Sequence, residues 1–173
     1  WKHIISSFRK KFPAEASFSY CPHQFWVYLE SKHTSTKKFK FEHERQRFYN
    51  FYSLGGNTDL DKLFKKNFQG KFFKVEINII EGIKRTEHPS TFDTLVIFTR
   101  VSKKLADAMD KIYSSSQPIE NKELLIKEIL SQPDNCSITI ENNAKKAQRL
   151  KKQISKPFFL PEEIRESIKK TFT

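Results

Sequence analysis

Three sets of residues have the types and spacing that chemistry needs. The first is Cys21-Pro22-His23, with His33 and His43 downstream. Zinc requires four convergent nitrogen or sulfur ligands. No CxxC pair and no second nearby cysteine supplies them, so no metal is expected. Cys21 is then a small core residue and the histidines are surface residues. The second set is Asp59, Asp61 and Glu76. A nuclease of the acidic-pair type places Asp before a strand bearing Glu-x-Lys, and two such carboxylates hold Mg²⁺ for phosphodiester cleavage. Here the lysine position is Asn78, with Lys74 two residues before Glu76. The plainer expectation is that Asp59 and Asp61 sit in a helix first turn and Glu76 is a solvated strand residue. Nucleophile and phosphate-loop motifs are missing: there is no GxSxG, no Walker loop and no GxGxxG. Gly55-Gly56-Asn57 reads as a turn.

The third set is the most informative. Over residues 37–74, eight of the 17 Phe and two of the five Tyr interleave with Lys and Arg. Exposed aromatics among cations give base stacking beside a phosphate-tracking groove. The candidates are Lys37, Lys38, Lys40, Arg45, Arg47, Lys65, Lys66, Lys71 and Lys74, with Phe48, Tyr49 or Tyr52 as platforms. The competing expectation places Phe39, Phe41, Phe64 and Phe73 in the core. A second basic block, Lys145, Lys146, Arg149, Lys151, Lys152 and Lys156, falls on one helical segment. Its apolar stripe is rich in Ala. Membrane insertion would want Trp, Phe or Leu there, so nucleic acid or an acidic protein is the better partner.

Composition sets the frame for these residues. The 173 residues amount to one domain's worth of chain, with 37% hydrophobic and 30% charged. The aromatic content of 14% argues against disorder. No apolar run approaches the ~18 residues of a membrane span. Two Cys make at most one bridge, which excludes a disulfide scaffold. The start at Trp1 is read as a piece of a longer or processed protein. The net charge of +12 is uneven: residues 31–74 carry +7, residues 142–173 carry +6, and residues 75–141 carry −3. Such a field draws polyanions. A merely solvating lysine surface is the bland alternative. Only seven of the 32 basic residues are Arg. Lys meets phosphate as a point charge and reads bases poorly, which favours backbone recognition over sequence recognition.

The elements follow from periodicity. Helical spacing covers 1–12 and stops at Pro13. Alternation predicts a strand at 24–30, apolar on both faces, and a short basic strand at 37–41. Residues 43–53 read as helix or irregular. Thr58 and Asp61 form a capping box for a helix over 59–67. KFFKVEINII predicts a strand with Phe73, Val75, Ile77 and Ile79 on one side. The segment 81–91, with Pro89, reads as a link, and 92–101 as a more central strand. Ser102 caps a helix bearing Leu105, Ala108, Met109 and Ile112. A helix over 121–131, a strand at 136–140, a basic helix over 142–156 and a last helix from Pro161 complete the chain.

The order helix, strand (Phe25–Leu29), paired strands (73–81 and 94–103) and closing helix resembles the kinase-associated KA1 domain. That resemblance covers residues 1–113 with a large insertion at 31–70. It implies binding of anionic phospholipid heads and a regulatory role.

These readings converge on an α+β fold: an antiparallel sheet with helices packed on one face and a helical C-terminal extension. A core domain is expected over 1–116 and a basic, mostly helical extension over 117–173. The expected function is a non-enzymatic nucleic-acid-binding module, recognising backbone and shape, with RNA or single strands included. The alternatives are the phospholipid-binding module and the metal-dependent nuclease. No cofactor is expected. A protein partner is expected at the C-terminal helices, with a membrane as the lesser partner. An intracellular setting is expected, nucleus or mitochondrion ahead of cytoplasm.

Overall fold

The computed structural model describes residues 16–25 and 48–170. A six-stranded mixed sheet organises them. Strand β1 (Ala16–Cys21) pairs in parallel with β2 (Tyr49–Leu54), and β2 pairs in parallel with β3 (Phe73–Ile77). On its other side β1 pairs antiparallel with β4 (Glu87–Phe92), followed antiparallel by β5 (Leu95–Arg100) and β6 (Ser137–Asn142). The spatial order is β3-β2-β1-β4-β5-β6. The helices are α1 (Asp59–Phe68), α2 (Lys103–Ser114), α3 (Ile119–Leu130), α4 (Ala144–Ser155) and α5 (Glu162–Lys170).

The expected antiparallel sheet is therefore mixed. The parallel pair β2 and β3 needs a crossover, and α1 provides it. Helices also cover both faces, not one. Register sets Phe18 beside Phe51 and Cys21 beside Leu54. Side chains alternate along a strand, so these pairs point to opposite faces. On one face Phe18, Tyr20, Phe51, Val96 and Phe98 pack under α4 and α5, through Ala147, Leu150, Ile154, Ile164 and Ile168. On the other, Cys21, Leu54, Phe73 and Val75 pack under Phe64 and Phe68 of α1.

Strands β1, β2 and β4 escape the periodicity reading for separate reasons. In β1 and β2 the inward residues of one face are polar. Ser17 Oγ donates to Asn50 Oδ1 at 3.0 Å, and Asn50 Nδ2 donates to the Phe48 carbonyl at 3.1 Å. Ser19 and Ser90 share a hydroxyl hydrogen bond at 2.9 Å. These bonds satisfy a buried polar strip that carries no apolar alternation in the sequence. In β4, Pro89 lies just outside the stretch 90–92 that pairs with β1. There, among the described residues, the strand pairs with β5 alone, and a missing N–H is tolerated.

The remaining elements agree with expectation within a few residues, with local exceptions. Ile79 lies beyond β3 and is exposed, as is Leu124 of α3. The helix at 1–12 and the strand at 37–41 fall outside the described residues, as does the strand at 24–30 apart from Gln24 and Phe25, which are coil. The C-terminal segment contributes to the sheet and to its cover. β6 joins the sheet through β5, and α4 packs against β1, β2, β4 and β5. The strand pairing implied by the KA1 resemblance is also absent: three strands separate β3 from β5. No helix among the described residues is long and apolar enough to cross a membrane.

Candidate nucleic-acid interface

Helix α4 is built to show its charges. Asn143 caps it, its side chain accepting from the Lys146 N–H at 3.0 Å, and the Asn143 N–H donates to the Thr94 carbonyl at 2.9 Å. That bond ties the helix start to the β4–β5 turn. Ala147, Leu150 and Ile154 are buried against the sheet, while Ala144, at the first turn, is exposed. With this stripe turned inward, Lys145, Arg149, Lys152 and Lys156 are left exposed at spacings of four, three and four. Those spacings share one helix face. Asn143, Lys145, Lys146, Arg149 and Lys152 border an open hollow of about 480 Å³. Among the described residues no acidic side chain pairs with Lys145, Arg149 or Lys156.

The other two basic residues of this block have structural work. Lys146 Nζ donates to both oxygens of Glu141 at 2.9 Å and lies 4.5 Å over the Phe98 ring. Lys151 is half-buried, and burial pulls its pKa down against the opposing pull of Asp93.

The first block divides differently. Lys37, Lys38, Lys40, Arg45 and Arg47 lie outside the described residues. Lys65 Nζ donates to Glu76 Oε2 at 2.5 Å. Lys66 is exposed on α1, across the sheet from α4. Lys71 is exposed, its ammonium 5.2 Å over Phe72. Lys74 is half-buried on β3 and points to the α4 face, as its register with Phe51 requires. The expected platforms are occupied. Phe48 is buried against Phe92. Tyr49 stacks on Phe51 and meets Phe72, and Tyr52 stacks on Phe73 beside Phe64. One exposed aromatic escapes the reading of residue types. Phe159 is 90% exposed, alone in that respect among the described aromatics. Its signal is the tandem Phe158-Phe159 between Pro157 and Pro161, where one ring packs on the core and the other does not.

The acidic residues do not converge either. Lys122, buried in α3, donates to both oxygens of Asp59 at 2.8 and 3.0 Å and to the Tyr113 carbonyl at 3.3 Å. That lysine holds the Asp59 carboxyl below its usual range. Asp61 is fully buried, and its Oδ2 accepts from the Thr58 N–H and hydroxyl at 3.0 and 2.8 Å. His23 Nδ1 lies 3.1 Å from both Asp61 oxygens, and Nε2 lies 3.5 Å from Asp110. Arg85 in turn pairs with Asp107 and Asp110. The His23 ring stacks on Tyr113 at 4.2 Å. A Cβ on Gly56 would strike both His23 and Asp61, so the β2–α1 turn needs glycine there. Cys21 is buried, and desolvation raises its thiol pKa well above the usual value, with Asp61 adding to the rise. A thiol so held is a poor nucleophile. Among the described residues no three His, Cys, Asp or Glu side chains are grouped to hold a metal ion.

Compared with protein-family models, with curated proteins and with solved structures, the chain matches none.

Proposed function

We propose that the protein is a non-enzymatic module that binds nucleic acid through phosphate contacts along α4. One observation supports this above the others: Lys145, Arg149, Lys152 and Lys156 form one exposed stripe on a helix whose apolar side is spent on the sheet. At about 1.5 Å rise per residue the stripe is roughly 16 Å long, the reach of a few nucleotides. The predominance of lysine fits contacts to backbone and shape. Lys66 and Lys71 add exposed charge elsewhere, and Lys74 adds a half-buried one on the α4 face. A nuclear or mitochondrial setting goes with this reading, as does a larger assembly.

The anionic-membrane reading has less support, because the apolar residues that α4 would insert are already buried. The nuclease reading has less support, because Asp59, Asp61 and Glu76 each answer to a different partner.

A fluorescence titration at several salt concentrations tests the proposal. Four phosphate contacts predict that log K falls with log salt at a slope of about −3 on a single strand. Lys145→Glu with Arg149→Glu should weaken binding more than tenfold and flatten that slope, at unchanged Tm. Absence of binding at low salt overturns the proposal.

A further inference from the structure

We infer that Phe159 is a base-stacking platform at the C-terminal end of the α4 stripe, so that the ligand is single-stranded nucleic acid rather than duplex. The inference rests on the reading of α4 as a phosphate-binding surface.

Phe159 is 90% exposed in a chain whose other described rings are buried or half-buried. Its neighbour Phe158 packs on the core against Phe51, with ring centroids 5.2 Å apart. This anchors the segment and holds Phe159 outside. Lys156 precedes it by three residues, so their Cα atoms are at most about 11 Å apart. The Arg165 guanidinium lies 5.9 Å from the Phe159 ring. Arg165 is itself steadied by Glu162 at 2.9 Å and by the Leu160 carbonyl at 3.3 Å. An exposed ring, a planar cation beside it and a run of lysines leading to it are the parts of a single-strand site: stacking for a base, charge for the backbone. Bases in a duplex keep their faces stacked on each other and offer none to the ring.

An anionic membrane would use the same lysines, with Phe159 inserted. One ring is a weak anchor without further apolar residues beside it. The apolar stripe of α4 faces the sheet, and Leu160 is packed on the core.

The test compares wild type with Phe159→Ala, Phe159→Trp and the Lys145→Glu/Arg149→Glu double variant. The probes are a fluorescent oligo(dT), an abasic strand of equal charge, a duplex and phosphatidylserine-containing vesicles. Phe159→Ala should weaken oligo(dT) binding roughly tenfold. It should leave the abasic strand, the salt slope and Tm unchanged, and Phe159→Trp should restore affinity. If Phe159→Ala binds oligo(dT) like wild type while the double variant does not, the stacking inference fails and the α4 reading stands. If no nucleic acid binds, both fail. Vesicle binding that exceeds oligo(dT) binding and is lost in Phe159→Ala overturns the inference in favour of a membrane anchor.

Discussion

His88 shows how burial sets the behaviour of one residue. It sits at the start of β4, buried, with Phe25 edge-on at 5.5 Å. Burial pushes its pKa down to about 4, and the nearby His23 pushes in the same direction. An exposed histidine titrates near 6.5. The folded pKa lies below the unfolded one, so the native state holds His88 neutral. Its contribution is fully present above about pH 6.5 and is lost as pH falls through about 4. The loss should approach roughly 3 kcal/mol, because each tenfold change in proton affinity is worth about 1.4 kcal/mol. Urea melts from pH 7 to 4 should show it, with a flatter profile for His88→Gln. The ring resonances of His88 should titrate near pH 4. A midpoint near 6.5 would mean that water reaches the ring. At this same scale Cys21 met the expectation of a buried core residue. His23 did not meet the expectation of a surface residue, because its partners Asp61 and Asp110 arrive from helices distant in sequence.

Among the elements, α1 is the one whose sequence signal was most complete. Thr58 and Asp61 make the full capping box, Asp59 and Asp61 occupy the first turn, and Lys65 and Lys66 the last. Cap and charges both complement the helix ends. Thr58→Ala should cost about 1 kcal/mol, measured as a lower urea midpoint at unchanged m-value. A cost near zero would mean that Asp61 and its own partners hold the turn without the threonine. β2 illustrates the opposite case. YNFYSL carries no clean alternation, because Tyr49 and Phe51 serve one core while Asn50 joins a buried polar strip and Tyr52 packs on Phe73. Its strand character comes from two neighbours, β1 and β3, that lie 33 and about two dozen residues away. The stripe of α4 was legible in most of its length, since Ala147, Leu150 and Ile154 recur at helical spacing, whereas the expected Ala144 is exposed and Lys146 and Lys151 leave the exposed row of cations.

For the whole molecule, the segment from residue 137 onward is structural as well as basic. α4 and α5 supply the cover for Phe18, Phe51, Val96 and Phe98, and β6 closes the free side of β5. Removing residues 137–173 would expose that face to water. Loss of this much buried apolar surface exceeds the usual margin of stability. The truncated chain should therefore show no cooperative thermal transition and no near-UV circular dichroism. A sharp melt for residues 1–136 would show that the rest of the chain covers the sheet unaided. Of the first basic block's described residues, Lys66 lies across the sheet from the α4 stripe and Lys74 shares the α4 face, so among the described residues α4 is the one helix that carries four exposed cations in a row.

Charge, the described helices, the caps of α1 and α2, and β3, β5 and β6 were readable from residue types at local spacing, because caps, dipoles and periodic burial act over a few residues. The parallel pairing of β1, β2 and β3, the polar strip between Ser17, Asn50 and Ser90, and the emergence of Phe159 beside a half-buried Phe158 were not. Each depends on which distant segment comes to lie alongside. A serine between strands or a phenylalanine in a loop carries no local mark of whether its neighbours will leave it hydrogen-bonded, packed or facing water.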